Sequence, residues 1–164
     1  MLKRIKKLFN YLFDKRSELR DLDTKDALLA KVVLDIHRKR THSDFVLVPL
    51  FSIKQIHAID RDSAIASTGK RTRILLAARE NLLAKREITR DMLAEYLPSV
   101  SGIKVVRHTD GSYIAYEGNG RLVALQTAFT AEDNLVIEVE EYHFKNTQKI
   151  LRRMNRVRRL NGLL

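Results

Sequence analysis

Asp110-Gly111-Ser112-Tyr113-Ile114-Ala115-Tyr116-Glu117-Gly118-Asn119-Gly120-Arg121-Leu122-Val123-Ala124-Leu125 is the stretch on which the reading of this chain turns. An Asp-Gly pair favours a tight turn, and the apolar run at 112–116 then reads as a strand. After Glu117-Gly118-Asn119-Gly120-Arg121, the residues Leu122, Val123, Leu125, Ala128 and Phe129 recur at helical spacing. Where a strand hands over to a helix, the helix's first amides have no intrahelical acceptor, and two glycines let a ligand approach the backbone closely. Those amides and the helix dipole favour an anion, and Arg121 adds a fixed charge with forked donors. Gly118, Asn119, Gly120 and Arg121 are therefore candidate phosphate- or nucleotide-binding residues. Glu117 is the acid beside them, able to accept a proton, hold a metal or bond the turn's own amides.

Working outward, Ile103-Lys104-Val105-Val106-Arg107 pairs with 112–116 as a hairpin through His108-Thr109-Asp110-Gly111. Downstream, Leu135 to Tyr142 alternates Leu135, Ile137 and Val139 against Val136, Glu138 and Glu140, which predicts a strand with one wet face. Upstream, Phe45-Val46-Leu47-Val48-Pro49-Leu50 reads as a buried strand that Pro49 ends or confines to an edge. Helical patterns cover Thr24 to Arg38, Arg73 to Lys85, a short stretch opened by Thr89, and about Asn146 to Leu160, the last with Ile150, Leu151, Met154 and Val157 as its apolar stripe. The charged run Arg38 to Ser43 reads as a linker, and 53–97 shows no strand pattern. The expectation is an α/β fold, with a small mixed sheet from 45–50, 103–107, 112–117 and 135–142 surrounded by helices. The domain division expected is a helical appendage at 1–43, the sheet domain at 44–145 and a basic helix at 146–164.

With 164 residues, a hydrophobic share of 45% and a charged share of 31%, the chain fits one soluble globular domain with short appendages. No apolar run approaches the roughly 18 residues that span a bilayer. The chain has no cysteine, which excludes disulfides, thiolate metal sites and thiol nucleophiles. The net charge of +11 is concentrated at the ends: 1–20 hold seven Lys/Arg against two Asp/Glu, and 145–164 hold seven against none. Basic ends on a nearly neutral centre point to a polyanionic partner, nucleic acid or an anionic membrane face. Lys149, Arg152, Arg153, Arg156 and Arg159 are the candidate nucleic-acid contacts. With no aromatic residue among them, they suit phosphate backbones rather than stacked bases. In 2–13, Leu2, Ile5, Leu8, Phe9, Leu12 and Phe13 make the apolar stripe of a basic amphipathic helix, a segment able to pack on a partner or lie on a membrane surface. Asp14, Lys15 and Arg16 interrupt any leader-like apolar region, so cleavage is not expected and the cytoplasm is the default location.

Two other patterns are weaker. Thr68-Gly69-Lys70-Arg71-Thr72 lacks the glycine at position 64 and the hydroxyl residue after Lys70 that a P-loop needs. His37, His42, His57, His108 and His143 show no paired ligand spacing with carboxylates, so no metal site is expected.

The run 110–125 with the strand that follows it resembles the ParB and sulfiredoxin-like superfamily, through Gly118, Arg121 and Ala124 of a Gly-x-x-Arg-x-x-Ala signature. The likeness extends over about 45–142. The resemblance implies a corner that binds nucleotide phosphates, with a nucleoside triphosphate or a divalent metal as the cofactor class. It also implies, by analogy with nucleases and small-molecule kinases of that superfamily, a catalytic role for Glu117. The chain departs from the family in four places: it has no sulfiredoxin cysteine, Asn119 and Gly120 stand where ParB proteins have an arginine-rich turn, and there is no Glu-Asn-x-x-Arg helix motif and no helix-turn-helix domain. The leading expectation is a module that binds a nucleotide or nucleic-acid phosphate at the corner and holds nucleic acid through its basic ends. The alternatives are a nuclease or kinase using Glu117 and a non-catalytic protein-interaction module.

Overall fold

From Thr24 to its end the chain runs through α1 (Thr24–Lys39), β1 (Arg40–Pro49), a 3-10 turn (Leu50–Ser52), β2 (Ile53–Gln55), α2 (Asp62–Ala77) and α3 (Arg79–Lys85). It continues through β3 (Glu87–Ile88), α4 (Arg90–Tyr96), β4 (Lys104–Arg107), β5 (Tyr113–Glu117), α5 (Asn119–Ala128), a second 3-10 turn (Ala131–Asp133), β6 (Val136–Phe144) and α6 (Thr147–Leu160). The computed structural model describes residues 24–164, and the amphipathic helix expected at 2–13 lies outside the described residues. The described residues form the expected α/β fold, with six helices around one six-stranded mixed sheet.

Local chemistry sets several of these boundaries. Thr89 caps α4, its hydroxyl accepting from the Met92 amide, and Asn146 caps α6 by accepting from the Lys149 amide at 3.0 Å. The turn at Gly111, where φ is +83°, closes the β4–β5 hairpin, and the His108 amide bonds the Ser112 carbonyl at 2.7 Å.

The strands lie in the order β1-β6-β4-β5-β2, and β3 pairs with the start of β6. β1 is antiparallel to β6, whereas β3 and β4 lie parallel to it on the opposite edge. β2 runs parallel to β5. The four expected strands all belong to this sheet. Four local expectations change. Arg38 to Ser43 is the end of α1 and the start of β1, because the ladder to β6 extends back to Arg40 opposite Phe144. β1 is an edge strand rather than a buried one: Val48 is covered, while Phe45 and Leu47 on the other face are about half exposed. Ile53–Gln55 and Glu87–Ile88 are strands after all, too short for alternation to register in sequence. The helix expected through 73–85 breaks at Ala78, where no glycine or proline marks the change of direction.

Strand alternation divides the core in two. Val105, Tyr113, Ala115, Ile137 and Val139 face α2, α3, α4 and α5, and pack with Leu75, Leu82, Leu93, Leu122 and Leu125. Val106, Ile114, Tyr116 and Tyr142 face the other way, against Val32 and Ile36 of α1 and Ile150, Leu151, Met154 and Val157 of α6. The central strands are thus buried on both faces, and α1 and α6 supply one of the two layers. The boundaries expected near 43 and 146 are not gaps in packing, since the second core spans both. On the face of β6 expected to be wet, Val136, Glu138 and Glu140 are each half-buried, and the two glutamates accept from the Arg90 amide and the Ser43 hydroxyl, each at 2.7 Å. No helix among the described residues is long and apolar enough to cross a membrane.

Met154 is fully buried between α6 and the sheet. Met154→Ala is expected to lower stability by about 2–4 kcal/mol. Urea unfolding should show a lower midpoint with an unchanged slope. A loss below about 1 kcal/mol would mean that α6 does not close this layer.

Candidate functional site

The corner forms because β5 must turn sharply into α5 while keeping contact with the segment before β4. Gly118 makes the turn with φ +86° and caps α5. A Cβ at Gly118 would stand 2.9 Å from Ile103 Cγ1 and 3.2 Å from Ile103 Cα, so close approach and left-handed backbone both select glycine. Asn119 is 3% exposed, and both ends of its side-chain amide are engaged in structure. Its Oδ1 accepts from the Ile56 amide at 3.0 Å and its Nδ2 donates to the Ala115 carbonyl at 3.0 Å, pinning the end of β2 to β5. The side chain of Asn119 is therefore a brace rather than a ligand contact, although its backbone amide remains at the helix start.

The first intrahelical bond of α5 runs from the Leu122 amide to the Gly118 carbonyl at 2.9 Å, and no side chain caps the helix. The amides of Asn119, Gly120 and Arg121 thus open onto a cavity of about 310 Å³, walled by His57, Arg71, Ser99, Tyr116 and residues 117–121. Two guanidinium groups meet there. Arg121 is 5% exposed and donates from Nη2 to the Gly102 carbonyl at 3.1 Å. Arg71, from α2, lies over Gly120: a Cβ there would stand 2.8 Å from Arg71 Nη1. Arg71 makes no hydrogen bond or ion pair among the described residues. Burial pushes the Arg121 guanidinium below its ordinary pKa, and the positive charge of Arg71 pushes it the same way. Both stay protonated, since arginine does not deprotonate in proteins. Two like charges beside uncapped amides raise the local positive potential, and a bound anion relieves it.

Glu117 stands apart from this logic. One of its oxygens accepts from Ser101 Oγ and the other lies 3.1 Å from Lys104 Nζ, its cross-strand neighbour. Burial raises the Glu117 carboxyl, but the Ser101 and Lys104 contacts outweigh it and hold the pKa below the ordinary glutamate value. A carboxylate so stabilised is a weak proton acceptor, and both its oxygens already have partners. Its surroundings describe a structural ion pair rather than a poised base.

Residues missing from the sequence reading complete the site. Arg71 and Thr68 come from the segment set aside as a failed P-loop, which is helical and lies against the start of α5. Thr68 Oγ1 is buried without a hydrogen-bond partner, and it would stand 3.5 Å from a Cβ at Gly120. His57 donates from Nδ1 to the Ala58 carbonyl at 2.8 Å, which leaves Nε2 as its second ring nitrogen at the cavity. No local pattern marks these residues, because only the packing of α2 on α5 joins them to the corner.

On α6 the basic residues divide into two sets. Lys149, Arg152, Arg156 and Arg159 are exposed and follow one another at steps of three and four residues, which aligns them along one face. Arg153 is paired with Asp35 of α1. Arg158 is buried, donating to the Gln55 carbonyl at 2.8 Å and the Leu163 carbonyl at 3.0 Å. Four of the five candidate residues thus lie on the exposed stripe, whereas Arg153 is engaged with Asp35. The histidines are also not all isolated: cross-strand pairing brings His143 beside His42 and Asp44, which linear spacing does not reveal.

Compared with family models, with curated proteins and with solved structures, the chain matches none.

Gly118→Ala is expected to cost on the order of 2 kcal/mol in denaturant unfolding, from strain at positive φ together with the Ile103 contact. A neutral result would remove the steric account of the turn. Lys104→Met tests the ion pair. The folded pKa of Glu117 is depressed, so its contribution is fully present above the unfolded value and is lost as pH falls through the folded one. Removing Lys104 should raise the pH of acid unfolding and cost about 1 kcal/mol at neutral pH, the pair being partly exposed. An unchanged acid limb would show that Lys104 does not hold the carboxylate.

Proposed function

We propose that this protein binds a phosphate group of a nucleotide or nucleic acid at the Gly118–Arg121 corner, with α6 adding nonspecific contact to a nucleic-acid backbone. The observation that carries this reading is the convergence of Arg71 and Arg121, neither in a salt bridge, on the uncapped amides of α5. Two guanidinium groups gathered with no carboxylate bonded to either are costly in a bare protein, since Glu117 acts on Arg121 only through its field, and an anion in the cavity offsets that cost. The resemblance to the ParB and sulfiredoxin-like superfamily, through Gly118, Arg121 and Ala124, supports the same ligand class.

The exposed stripe of α6 supports the second half of the proposal. Its C-terminal end is tied to the wall of the corner: Arg158 bonds the Gln55 carbonyl, and the Ala58 amide donates to Asn161 Oδ1 at 3.1 Å. A strand whose phosphate occupied the corner would find further positive charge along this helix. A catalytic role for Glu117 gains no support from its pairing with Ser101 and Lys104.

Thermal shift with CTP, ATP and a short oligonucleotide tests the site. A raised melting temperature is expected for the wild type and a much smaller rise for Arg71→Ala, which removes a side chain that holds nothing else in place. No shift with any of the three ligands would sink the phosphate reading. Arg152→Glu with Arg156→Glu should weaken the oligonucleotide alone, and added salt should weaken it steeply through counterion competition. Equal loss for the mononucleotides would instead place these arginines in the corner's own site.

A further inference from the structure

The positive stripe of α6 does not end on the helix. Beside Lys149, at the first turn, the chain folds around a cavity of about 320 Å³ formed where α1 meets β1 and where β6 meets α6. Four cations line it, Lys39, Arg40, Lys145 and Lys149, and no carboxylate does. The side chains of Lys145 and Lys149 make no ion pair among the described residues. Lys39 lies 3.9 Å from Asp35, a carboxylate that already holds Arg153. Arg40 is fixed by Tyr142: its Nη1 donates to the hydroxyl at 2.9 Å, and the guanidinium lies over the ring, 5.2 Å from its centroid. A cation held in place loses less side-chain freedom when it meets an anion. The positive end of the α6 dipole lies at the same place.

Between these cations the lining is apolar. Ile150 is buried, and Phe144 is half-buried at the rim of the second core. Phe144 stands opposite Arg40 in the ladder, next to the register shift between Arg40 and His42, an irregularity of the kind that re-aims side chains. Its ring makes no contact with another ring or with a cation among the described residues. Tyr142, two residues earlier on the same face of β6, is by contrast taken up by His37, Tyr116 and Arg40. An aromatic ring among unpaired cations is the combination that single-stranded nucleic acid requires, since its phosphates take the charges and any base has a π-face to stack. A duplex keeps its bases stacked on one another and would use the cations alone. The five basic residues of α6 have no aromatic among them in the sequence; the fold supplies one by bringing the end of β6 beside Lys149.

We propose that this cavity is a nucleotide subsite for single-stranded nucleic acid, in which one base stacks on Phe144 while the flanking phosphates pair with Lys39, Arg40, Lys145 and Lys149. The inference rests on the binding of nucleic acid along α6 proposed above, and it names the form of strand that this helix can read. With 14 residues, α6 sets the cavity about 21 Å from the last turn, where Arg158 and Asn161 hold the segment beside the corner. Lys149, Arg152, Arg156 and Arg159 mark the path between the two ends.

Fluorescence anisotropy of the full chain compares a short thymidine strand, the same sugar-phosphate backbone without bases, and a duplex of equal length. The wild type should bind the base-bearing strand roughly 5–100-fold more tightly than the abasic one. Phe144→Leu should lose that preference and leave duplex affinity unchanged, whereas Phe144→Tyr, which keeps a ring, should retain it. Urea unfolding checks that the leucine variant is folded, and the abasic comparison on the wild type needs no variant at all. Lys145→Ala with Lys149→Ala should weaken both single strands alike and make the salt dependence shallower. Equal affinity of the wild type for base-bearing and abasic strands would overturn the proposal and leave the backbone contact of α6 standing. Failure to bind any strand would overturn both. Weaker binding of Phe144→Leu to phosphatidylserine vesicles, with its strand affinities unchanged, would assign the cavity to a lipid headgroup and overturn the proposal as well.

Discussion

Strand β6 is hydrogen-bonded along both edges, and the remainder of the molecule is arranged around that constraint. β1 takes one edge over its whole length, while β3 and β4 divide the other between them. A strand so paired presents its two faces to separate layers, and the side chains follow. Ile137 and Val139 anchor the layer of α2 to α5, and Tyr142 reaches into the layer of α1 and α6. The hairpin of β4 and β5 hangs from β6 through β4 alone, so the position of the corner at the end of β5 is fixed relative to β6 by one parallel pairing. The Glu140 amide bonds the Ile103 carbonyl at 2.9 Å, which sets the segment that Gly118 packs against.

The corner is built by separating charges that would otherwise neutralise each other. Glu117 is within one residue of Gly118, yet its carboxylate is turned toward Ser101 and Lys104. Arg121 instead donates to the Gly102 carbonyl, and Arg71 approaches from α2 over Gly120. Had Glu117 paired with Arg71 or Arg121, the corner would be electrically closed. Lys104 therefore does for the acid what a bound anion would do for the arginines.

Much of this fold is written in local sequence, and the part that is not has identifiable causes. The Asp-Gly turn, the alternation at 135–142, the Thr89 cap and the stripe on 146–160 each depend on neighbours in the chain, and each element stands where those patterns put it. β2 and β3 fail to show because two or three residues are held as strands by their partners alone. The Phe45 and Leu47 side chains read as core because hydrophobicity does not distinguish an edge strand from a central one. At the site, Gly118 and Arg121 were legible through the turn between strand and helix. Asn119 looked like a ligand contact because sequence shows an amide's chemistry but not its partners, which here are Ile56 and Ala115. Arg71, Thr68 and the meeting of His42 with His143 are tertiary events, and no spacing along the chain encodes them.

Residues 55–58 touch α6 on one side and the corner on the other, through Gln55 to Arg158, Ala58 to Asn161 and Ile56 to Asn119. This short segment is a shared support, so the last turn of α6 and the mouth of the corner are not energetically independent. Thermodynamic reciprocity then sets a rule for any ligand whose binding depends on where 55–58 lies: it changes the tendency of that turn to fray, and fraying changes its affinity by the same factor. The end of the chain is in this sense part of the corner's equilibrium, although its side chains contribute nothing to the cavity wall.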